Sequence, residues 1–263
     1  MNEYSSNMEI TEKKYFAEYS EKIGREIGTL ADSFDLSDEH IDLGYSTQAS
    51  AVYSSNIEGN SVDLNSFMNY KLSPEKFKQT KEVAEIEDLI TAYQFAQKNE
   101  LNDSNFLECH RIFSETFLIA SKRGNYRLDK VGVFGQTGLT YLAIEPEHVQ
   151  KRMRSFFQNM EILLQDKLSR QETFYFASMI HLIVAHIHPF ADGNGRAARL
   201  LEKWFLSVKL GEKYWKIPSE KYYKDNQGKY YANINLGVNY YELNYGKCMP
   251  FLMMLPNCLR KFE

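Results

Sequence analysis

The sequence has little of what interrupts helices or cross-links a chain. Its 263 residues include 6 prolines, 14 glycines and 3 cysteines. Long stretches without proline or glycine favour helices, because these two residues have the poorest helix propensities. Cys109, Cys248 and Cys258 form no CxxC pair, and an odd number cannot all pair within one chain. We therefore expect free thiols in a reducing compartment.

Long apolar runs and an excess of basic charge are also absent. One of the most apolar stretches, residues 179–188, is interrupted by histidines and is too short to span a bilayer. The N-terminal stretch MNEYSSNMEI lacks the basic and apolar regions of a secretory signal, which makes the cytoplasm the expected location. The formal net charge is −4, so we expect neither nucleic acid nor a membrane as a partner, and any anion site must be local.

Hydrophobic periodicity predicts a mostly helical fold. Apolar residues recur three or four positions apart in several segments, as a helix that packs on a core requires. The predicted helices cover residues 81–99, 105–120, 149–165, 170–188 and 196–211. Residues 130–144 differ, because two short β-prone runs flank a glycine-containing loop, which predicts one β-hairpin. The acidic stretch 32–40 is interpreted as a loop between helices.

Residues 188–199, HPFADGNGRAAR, connect two of these helices and have the composition of an anion site. Gly193 and Gly195 allow the backbone to approach a ligand closely, and the helix that follows directs its first N–H groups and its dipole at the same place. Arg196 and Arg199 are three positions apart, so they share a helix face and can both bind phosphate oxygens. The sequence therefore predicts a phosphate-binding loop.

Two further side chains of this loop suit chemistry on a bound phosphate. Asp192 offers a carboxylate oxygen for Mg²⁺, which accompanies nucleotide phosphates, and His188 can accept a proton near neutral pH. A transition-metal site on the clustered histidines is an alternative, but positions 181 and 186 are five apart and do not align on one helix face. A plain glycine-rich turn with surface arginines is another, and it leaves Asp192 and Asn194 unexplained. Core packing or a local hydrogen bond suits His181 and His186 better.

The loop resembles the motif HxFx(D/E)GNGRxxR of the Fic family at every defined position. The matching residues are His188, Phe190, Asp192, Gly193, Asn194, Gly195, Arg196 and Arg199. The resemblance extends over roughly residues 80–210 and implies an all-α, Fic-type helical core with the hairpin as a flap. It also implies an enzyme that moves AMP from ATP to a hydroxyl side chain (Tyr, Thr or Ser) of a target protein, with Mg²⁺ as cofactor and pyrophosphate as product.

The resemblance implies a role for each residue of the motif. His188 is the general base, Phe190 is a buried anchor of the loop, and Asp192 holds Mg²⁺. The nucleotide phosphates contact Gly193, Asn194, Gly195, Arg196 and Arg199. Of these, the three residues from 193 to 195 line an anion hole, and the two arginines hold the β- and γ-phosphates. The stretch after the hairpin lacks the family's usual double proline, which leaves the end of the flap less well defined.

A second stretch, SSNIEGN at residues 54–60, places an acid at the end of a helix predicted near residues 46–58. The helix dipole disfavours Glu58 there, and residues 46–70 contain no lysine or arginine to pair with it. Glu58 is therefore either solvated or paired with a distant cation. The stretch matches (S/T)xxxE(G/N), the inhibitory-helix motif of Fic proteins, through Ser54, Glu58 and Gly59.

By that resemblance, Glu58 pairs with Arg199 and prevents productive binding of the γ-phosphate. Because the motif precedes the core, the chain resembles the subclass with an N-terminal inhibitory helix. The implied organisation is an N-terminal helical region over residues 1–80, a Fic core over residues 81–212 and a C-terminal helical extension, packed on the core, over residues 213–263.

Partners are also implied by the resemblance. The flap, residues 127–144, is the expected docking site of an unidentified target protein, by strand addition to an exposed edge. The hairpin can equally cover the core, and both roles can hold. Most of the many tyrosines after residue 213 are expected to pack between helices, and Tyr230 and Tyr231 are the candidates for the adenine pocket. Self-modification and oligomerisation stay open.

These features predict an autoinhibited protein adenylyltransferase that uses ATP and Mg²⁺. One alternative is a Fic-type enzyme of another activity, which removes AMP or transfers a phosphoryl or phosphocholine group. The other is a nucleotide-sensing regulatory protein. The presence of a general base at His188 favours chemistry over sensing.

Overall fold

The structure is a computed structural model that describes residues 8–37, 42–76, 79–135 and 138–262. Its first helices are α1 (Phe16–Ser37), α2 (Leu43–Ile57) and α3 (Leu64–Leu72). Asp42 caps α2 and Asp63 caps α3, each by accepting a hydrogen bond from a backbone N–H of the first turn.

The prediction of a loop over residues 32–40 is wrong for residues 32–37, which form the last turns of α1. The apolar stripe of α1 continues into this acidic stretch, because Ile27, Leu30 and Phe34 are all buried and spaced three or four apart. Burial of that stripe outweighs the acidic composition of the opposite face. The rest of the predicted loop lies outside the described residues.

The middle of the chain contains five longer helices and the hairpin. They are α4 (Lys81–Ala96), α5 (Asp103–Phe113), β1 (Gly132–Gly135), β2 (Gly138–Leu142), α6 (Pro146–Gln165), α7 (Arg170–Ile187) and α8 (Asn194–Leu210). The all-α fold with one hairpin is confirmed. Helix α5 ends well before residue 120, because Asp88 accepts hydrogen bonds from the backbone N–H and the hydroxyl of Thr116 and so turns the chain.

Short helices end the described part of the chain. They are α9 (Ser219–Asp225), α10 (Gln227–Ile234), α11 (Met249–Leu252) and α12 (Met254–Asn257), and short 3-10 turns connect several of them. Helix α9 packs on α2, while α11 and α12 pack on α7. The C-terminal residues therefore contact both the helix that carries Glu58 and the centre of the core.

Helix α7 is the centre of the fold. Nearly all its side chains are buried, it packs most extensively on α8, and α1 contacts another part of it. A helix that is apolar on every side belongs inside a core. Its start is fixed by a capping box in which the side chains of Ser169 and Glu172 bond each other's backbone N–H groups. The loop between α7 and α8 therefore joins the ends of two largely buried helices.

The hairpin is attached to α7 and to the C-terminal residues. Its strands are antiparallel, with Gly132 opposite Leu142. The Tyr141 hydroxyl donates to the carbonyl oxygen of His186 at 2.7 Å, and the N–H of Leu142 donates to the carbonyl oxygen of Val238 at 3.0 Å. The outer edge of β2 is therefore partly paired, and β1 is left as the edge of this sheet among the described residues.

Two further observations concern the pairing of the cysteines and the hydrophobicity of the helices. Cys109, Cys248 and Cys258 are free and buried, as their number and spacing predict. Within the described ranges, no helix combines the length and the hydrophobicity that crossing a bilayer demands.

Candidate active site

His188 ends α7 and begins the loop. Its backbone is left-handed, with φ 53° and ψ 59°, and no other described non-glycine residue has a positive φ. The ring Nδ1 lies 3.1 Å from the carbonyl oxygen of Ala185. A carbonyl only accepts, so Nδ1 carries the hydrogen and Nε2 is left as an acceptor. Burial lowers the pKa of His188, so the ring is neutral near neutral pH and able to take a proton.

The loop is closed by contacts that the motif alone does not reveal. The Asn194 side chain accepts from the N–H of Phe190 at 2.8 Å and donates to its carbonyl oxygen at 3.0 Å. The buried Phe190 ring stacks on His110, with 3.7 Å between the ring centroids. His110 Nδ1 accepts from the N–H of Gly124, so Nε2 donates to the carbonyl oxygen of Asp192. The oxygen and the nitrogen of the Asn194 side chain thus both form hydrogen bonds within the loop.

The N-terminus of α8 has the features of an anion site. Gly193, with φ 81°, is its N-cap, and a Cβ there would lie 2.8 Å from the Phe113 ring, so conformation and space both require glycine. The Arg196 guanidinium lies 3.9 Å from the centroid of the Phe117 ring, with Nη1 3.8 Å from Glu85. Its Nε is buried and has no hydrogen-bond partner. An unpaired, buried, cationic donor beside a helix N-terminus fits a bound anion.

Arg199 is fully buried and is bound from several sides. Its Nη2 lies 2.6 Å from Oε1 of Glu58, whose side chain is 30% exposed. Ser54 accepts from Arg199 twice, through its hydroxyl at 2.9 Å and its carbonyl oxygen at 3.0 Å. Burial raises the pKa of Glu58, but the charge and the hydrogen bond of Arg199 outweigh it and hold this pKa below its usual range. Glu58 is therefore ionised at neutral pH.

The Glu58 carboxylate lies against the backbone at the start of α8. A Cβ at Gly195 would be 2.3 Å from Oε1 of Glu58. The first N–H groups of a helix have no intrahelical partner, and the dipole there attracts an anion. Arg196 contributes as well, because its charge lowers the pKa of Glu58. A side-chain carboxylate thus occupies the position at which the sequence predicts phosphate.

The last turn of α2 is held by residues of α9 and α10. Lys224 Nζ donates to the carbonyl oxygen of Asn56 at 2.9 Å. Gln227 and Tyr231 both donate to the carbonyl oxygen of Ile57, at 2.8 Å each. Carbonyl groups in the last turn of a helix have no intrahelical partner, so these contacts fix the backbone that carries Glu58.

The two tyrosines predicted for the adenine pocket have different surroundings. Tyr231 is 45% exposed, whereas Tyr230 is buried. The Tyr230 hydroxyl accepts from Arg199 at 3.2 Å and lies 2.9 Å from Nε2 of His181. His181 Nδ1 lies 2.8 Å from the buried carboxylate of Glu202. Tyr230 therefore supports Arg199 through its hydroxyl, and contact with adenine stays a prediction for both tyrosines.

The other histidines of α7 have structural partners rather than a metal. His181 is bound to Tyr230 and Glu202, and His186 lies 3.0 Å from the Tyr245 hydroxyl and 2.8 Å from the carbonyl oxygen of Ile234. In the described part of the chain, no three His, Cys, Asp or Glu side chains are grouped to hold a metal ion. Core hydrogen bonding therefore accounts for both.

Asp192 is exposed beside the anion site. Its Oδ1 accepts from the N–H of Gly193 at 2.6 Å, which holds the carboxylate at the loop. Mg²⁺ binds proteins through one or two carboxylates, together with substrate phosphates and water. A single exposed carboxylate next to a phosphate-binding helix end fits that donor set.

Two buried histidines predict that the protein loses stability in acid. Burial lowers the pKa of His110 and of His186 to about 4, against roughly 6.5 in an unfolded chain. The stability that each neutral ring supports is present above about pH 6.5 and is lost as the pH falls to about 4, on the order of 3 kcal/mol each. Thermal unfolding should show a lower Tm at about pH 5 than at about pH 7.5. His186→Gln should flatten that slope, and an unchanged slope would contradict the assignment.

Comparison with known proteins agrees with this geometry. The family model described as Fic/DOC family matches residues 100–206. The chain is 29% identical over 168 residues to protein adenylyltransferase Fic of Drosophila erecta, a match that covers 63% of this chain and 29% of that protein. It thus spans less than a third of the length of that curated relative.

Solved structures extend the similarity to nearly the whole chain. A Fic family protein from Desulfovibrio desulfuricans G20 matches with a TM-score of 0.71 and 19% identity, over 99% of this chain and 76% of that one. Fic-1 from C. elegans matches with a TM-score of 0.67 and 20% identity, over 94% of this chain and 71% of that one. At such identities the likeness shows a shared fold. The family model covers α5, the hairpin, α6, α7 and most of α8, so residues 100–206 form a Fic/DOC domain, and the fold of nearly the whole chain resembles that of Fic structures.

Proposed function

We propose that this protein transfers AMP from ATP to a hydroxyl side chain of a target protein, with Mg²⁺ as cofactor, and that Glu58 inhibits the transfer. The observation that carries the proposal is the position of the Glu58 carboxylate. It is paired with Arg199 and lies against Gly195. Gly195 is at a helix N-terminus, where the free N–H groups and the helix dipole favour an anion. A site that holds a carboxylate in place of phosphate, beside the acceptor nitrogen of His188, fits an inhibited phosphate-transfer enzyme.

The chemistry requires a base, anion binding and a leaving group. Nε2 of His188 accepts the proton of the target hydroxyl as the oxygen bonds to the α-phosphorus of ATP. The bond from that phosphorus to the bridging oxygen breaks, and pyrophosphate leaves with the electron pair. Arg196 and Arg199 neutralise the negative charge of the leaving phosphates, together with the N–H groups of Asn194 and Gly195. Asp192 would hold Mg²⁺, which adds charge neutralisation when bound.

The target would dock on the flap, residues 127–144, along β1. The N–H of Leu142 is already bound to Val238, so an added strand is expected on the other side of the sheet. Phe134 is 74% exposed and Leu139 is 55% exposed, which offers apolar surface to side chains of a docked segment. Strand addition uses backbone groups, which a segment of a second copy of this chain also offers. Self-modification in an oligomer is therefore compatible with this site.

A labelling experiment separates the proposed reaction from its alternatives. Transfer of label from ATP labelled at the α-phosphate, and none from ATP labelled at the γ-phosphate, is the expected result for AMP transfer. Label from the γ position would indicate phosphoryl transfer. Nucleotide binding without any transfer by a Glu58→Gly variant would favour a nucleotide-sensing protein, and release of AMP from a modified target would favour the reverse reaction.

Asp192→Ala is expected to lose nearly all transfer and to weaken Mg²⁺-dependent binding of ATP. Asp192 is the carboxylate beside the phosphate site, and its loss removes the proposed protein ligand for the ion. The measurements are initial rates and ATP affinity at several Mg²⁺ concentrations. Full activity of this variant in excess EDTA would exclude the metal role.

The contacts on the last turn of α2 predict an activating variant. Lys224→Met combined with Gln227→Met should loosen the backbone of Asn56 and Ile57 and raise the transfer rate, by less than Glu58→Gly does. The same pair of substitutions should have no effect in a Glu58→Gly background, because the inhibitory carboxylate is already gone. Lys229→Met, an exposed change on α10, is the matched control. Activation that persists without Glu58 would contradict this explanation.

A further inference from the structure

Arg127 is a buried cation between the flap and the loop that follows α7. Its side chain donates to backbone carbonyl oxygens on both sides, and its own N–H donates to the carbonyl oxygen of Pro189 at 2.9 Å. The guanidinium partners are the carbonyl oxygens of His188 at 2.7 Å, Asp129 at 2.9 Å, Ile144 at 2.6 Å and Ile187 at 3.4 Å. Residue 127 is 3% exposed.

These partners explain how a charge is buried here with no ion pair to it among the residues that the structure describes. The carbonyl groups of Ile187 and His188 lie at the C-terminal end of α7, where they have no intrahelical partner and the helix dipole is negative. A guanidinium has five donors in a planar fork, so it can satisfy several such oxygens at once. A lysine ammonium has the same charge and lacks that fork.

His188 needs such support because its backbone conformation is strained. A left-handed conformation is unfavourable for a non-glycine residue, and a residue that precedes proline is normally extended. His188 is left-handed and is followed by Pro189. A conformation of this kind persists only where the surroundings over-determine it. Arg127 bonds the carbonyl oxygens of both residues, that of His188 through its side chain and that of Pro189 through its backbone N–H.

We propose that Arg127 is a positioning residue for His188, which holds its left-handed backbone and ties the direction of its ring Nε2 to the base of the flap. Arg127 is bound to the flap by donating hydrogen bonds to the carbonyl oxygens of Asp129, just before β1, and Ile144, just after β2. Docking of a target on the flap and presentation of the base are thus joined by one side chain. This inference rests on the proposed function, in which His188 is the base.

The charge of Arg127 supplies a second, separable effect. The titratable groups that act on His188 are Arg127, Glu58, Asp192 and its neighbour in α7, His186. Burial is the largest cause that lowers the pKa of His188, and the Arg127 charge lowers it further. Loss of that charge should raise the pKa of His188 and move the acidic limb of the rate profile to higher pH, because the base is then protonated over a wider range.

The test uses Arg127→Met and Arg127→Lys in the full chain, in a Glu58→Gly background that gives measurable transfer. For Arg127→Met we expect kcat to fall by about ten- to a hundredfold, an unchanged Kd for ATP, and an acidic limb at higher pH. For Arg127→Lys we expect a similar loss of kcat with the acidic limb of the parent, because the charge stays and the fork is lost. Tyr141→Phe, which removes the other hydrogen bond from the flap to α7, should keep the parent's pH profile.

Several outcomes would overturn the inference, and they differ from failure of the proposed function. No transfer by the Glu58→Gly parent rejects the proposed function itself. An active parent, with folded Arg127 variants that keep its kcat, rejects only the positioning role. A loss of kcat that is matched by an equal loss of ATP affinity also rejects it, as does the same shift of the pH profile in Tyr141→Phe. If Arg127→Met does not fold, Arg127→Lys decides the point through its kcat and its Kd for ATP.

Discussion

Replacement of His188 with alanine is expected to abolish transfer while ATP binding persists. The proposed phosphate contacts are at Arg196, Arg199 and the start of α8, at the other end of the loop, so they do not need the imidazole. A general base contributes typically about 10²–10⁴-fold to a rate, and the loss should fall on kcat. Single-turnover transfer in a Glu58→Gly background and the Kd for ATP are the two measurements.

A surface histidine is the control for this variant. His148 is exposed on α6, and His148→Ala should retain the rate of the parent. The burial that lowers the pKa of His188 also predicts activity that persists below the ordinary histidine pKa. A His188→Ala protein with nearly the turnover of its parent would show that another group accepts the proton.

The helices were predictable wherever apolar residues recurred at helical spacing and no other local signal, such as an acidic stretch, pointed to a loop. Helices α4, α6, α7 and α8 lie within a few residues of their predicted bounds, because apolar spacing and caps both point to the same ends. Helix α5 was predicted to extend too far, because the contact of Asp88 in α4 with Thr116 in the turn after α5 has no local signal in the sequence. The last turns of α1 were not predicted, because the acidic residues there were interpreted as a loop although the apolar face of the helix continues.

The candidate site was predictable as a set of residues and less so as a set of contacts. The motif from His188 to Arg199 identifies the loop, but its support comes from distant parts of the chain. In the sequence, His110 shows only the spacing of a buried helix residue. Arg127 lies in the region that resembles the Fic family, but that resemblance assigns it no role. Their partners meet only after folding, so no local pattern reveals them. Ser54, by contrast, was found by its spacing from Glu58.

Glu58→Gly is expected to raise the transfer rate by about ten- to a hundredfold. The carboxylate forms a charge-assisted hydrogen bond with Arg199, an interaction typically worth about 1.5–3 kcal/mol, and the rate gains that factor if all of it is recovered. The structure adds a reason for full recovery. The bonds of Arg199 to Ser54 and Tyr230 do not involve the acid, so we expect its guanidinium to stay in place for the proposed contact with phosphate.

Three further variants distinguish the effect of the Glu58 charge, the effect of the size of its side chain, and the dependence of activation on Arg199. Glu58→Gln keeps the size of the side chain and loses its charge, so it should activate less than Glu58→Gly if the amide still covers Gly195. Arg199→Ala alone should transfer slowly, and Glu58→Gly combined with Arg199→Ala should lose the gain, because the released arginine is no longer there to bind phosphate. Initial rates of all variants at one ATP concentration give the comparison. A folded Glu58→Gly protein no faster than wild type would reject inhibition by Glu58 and leave the transferase proposal standing.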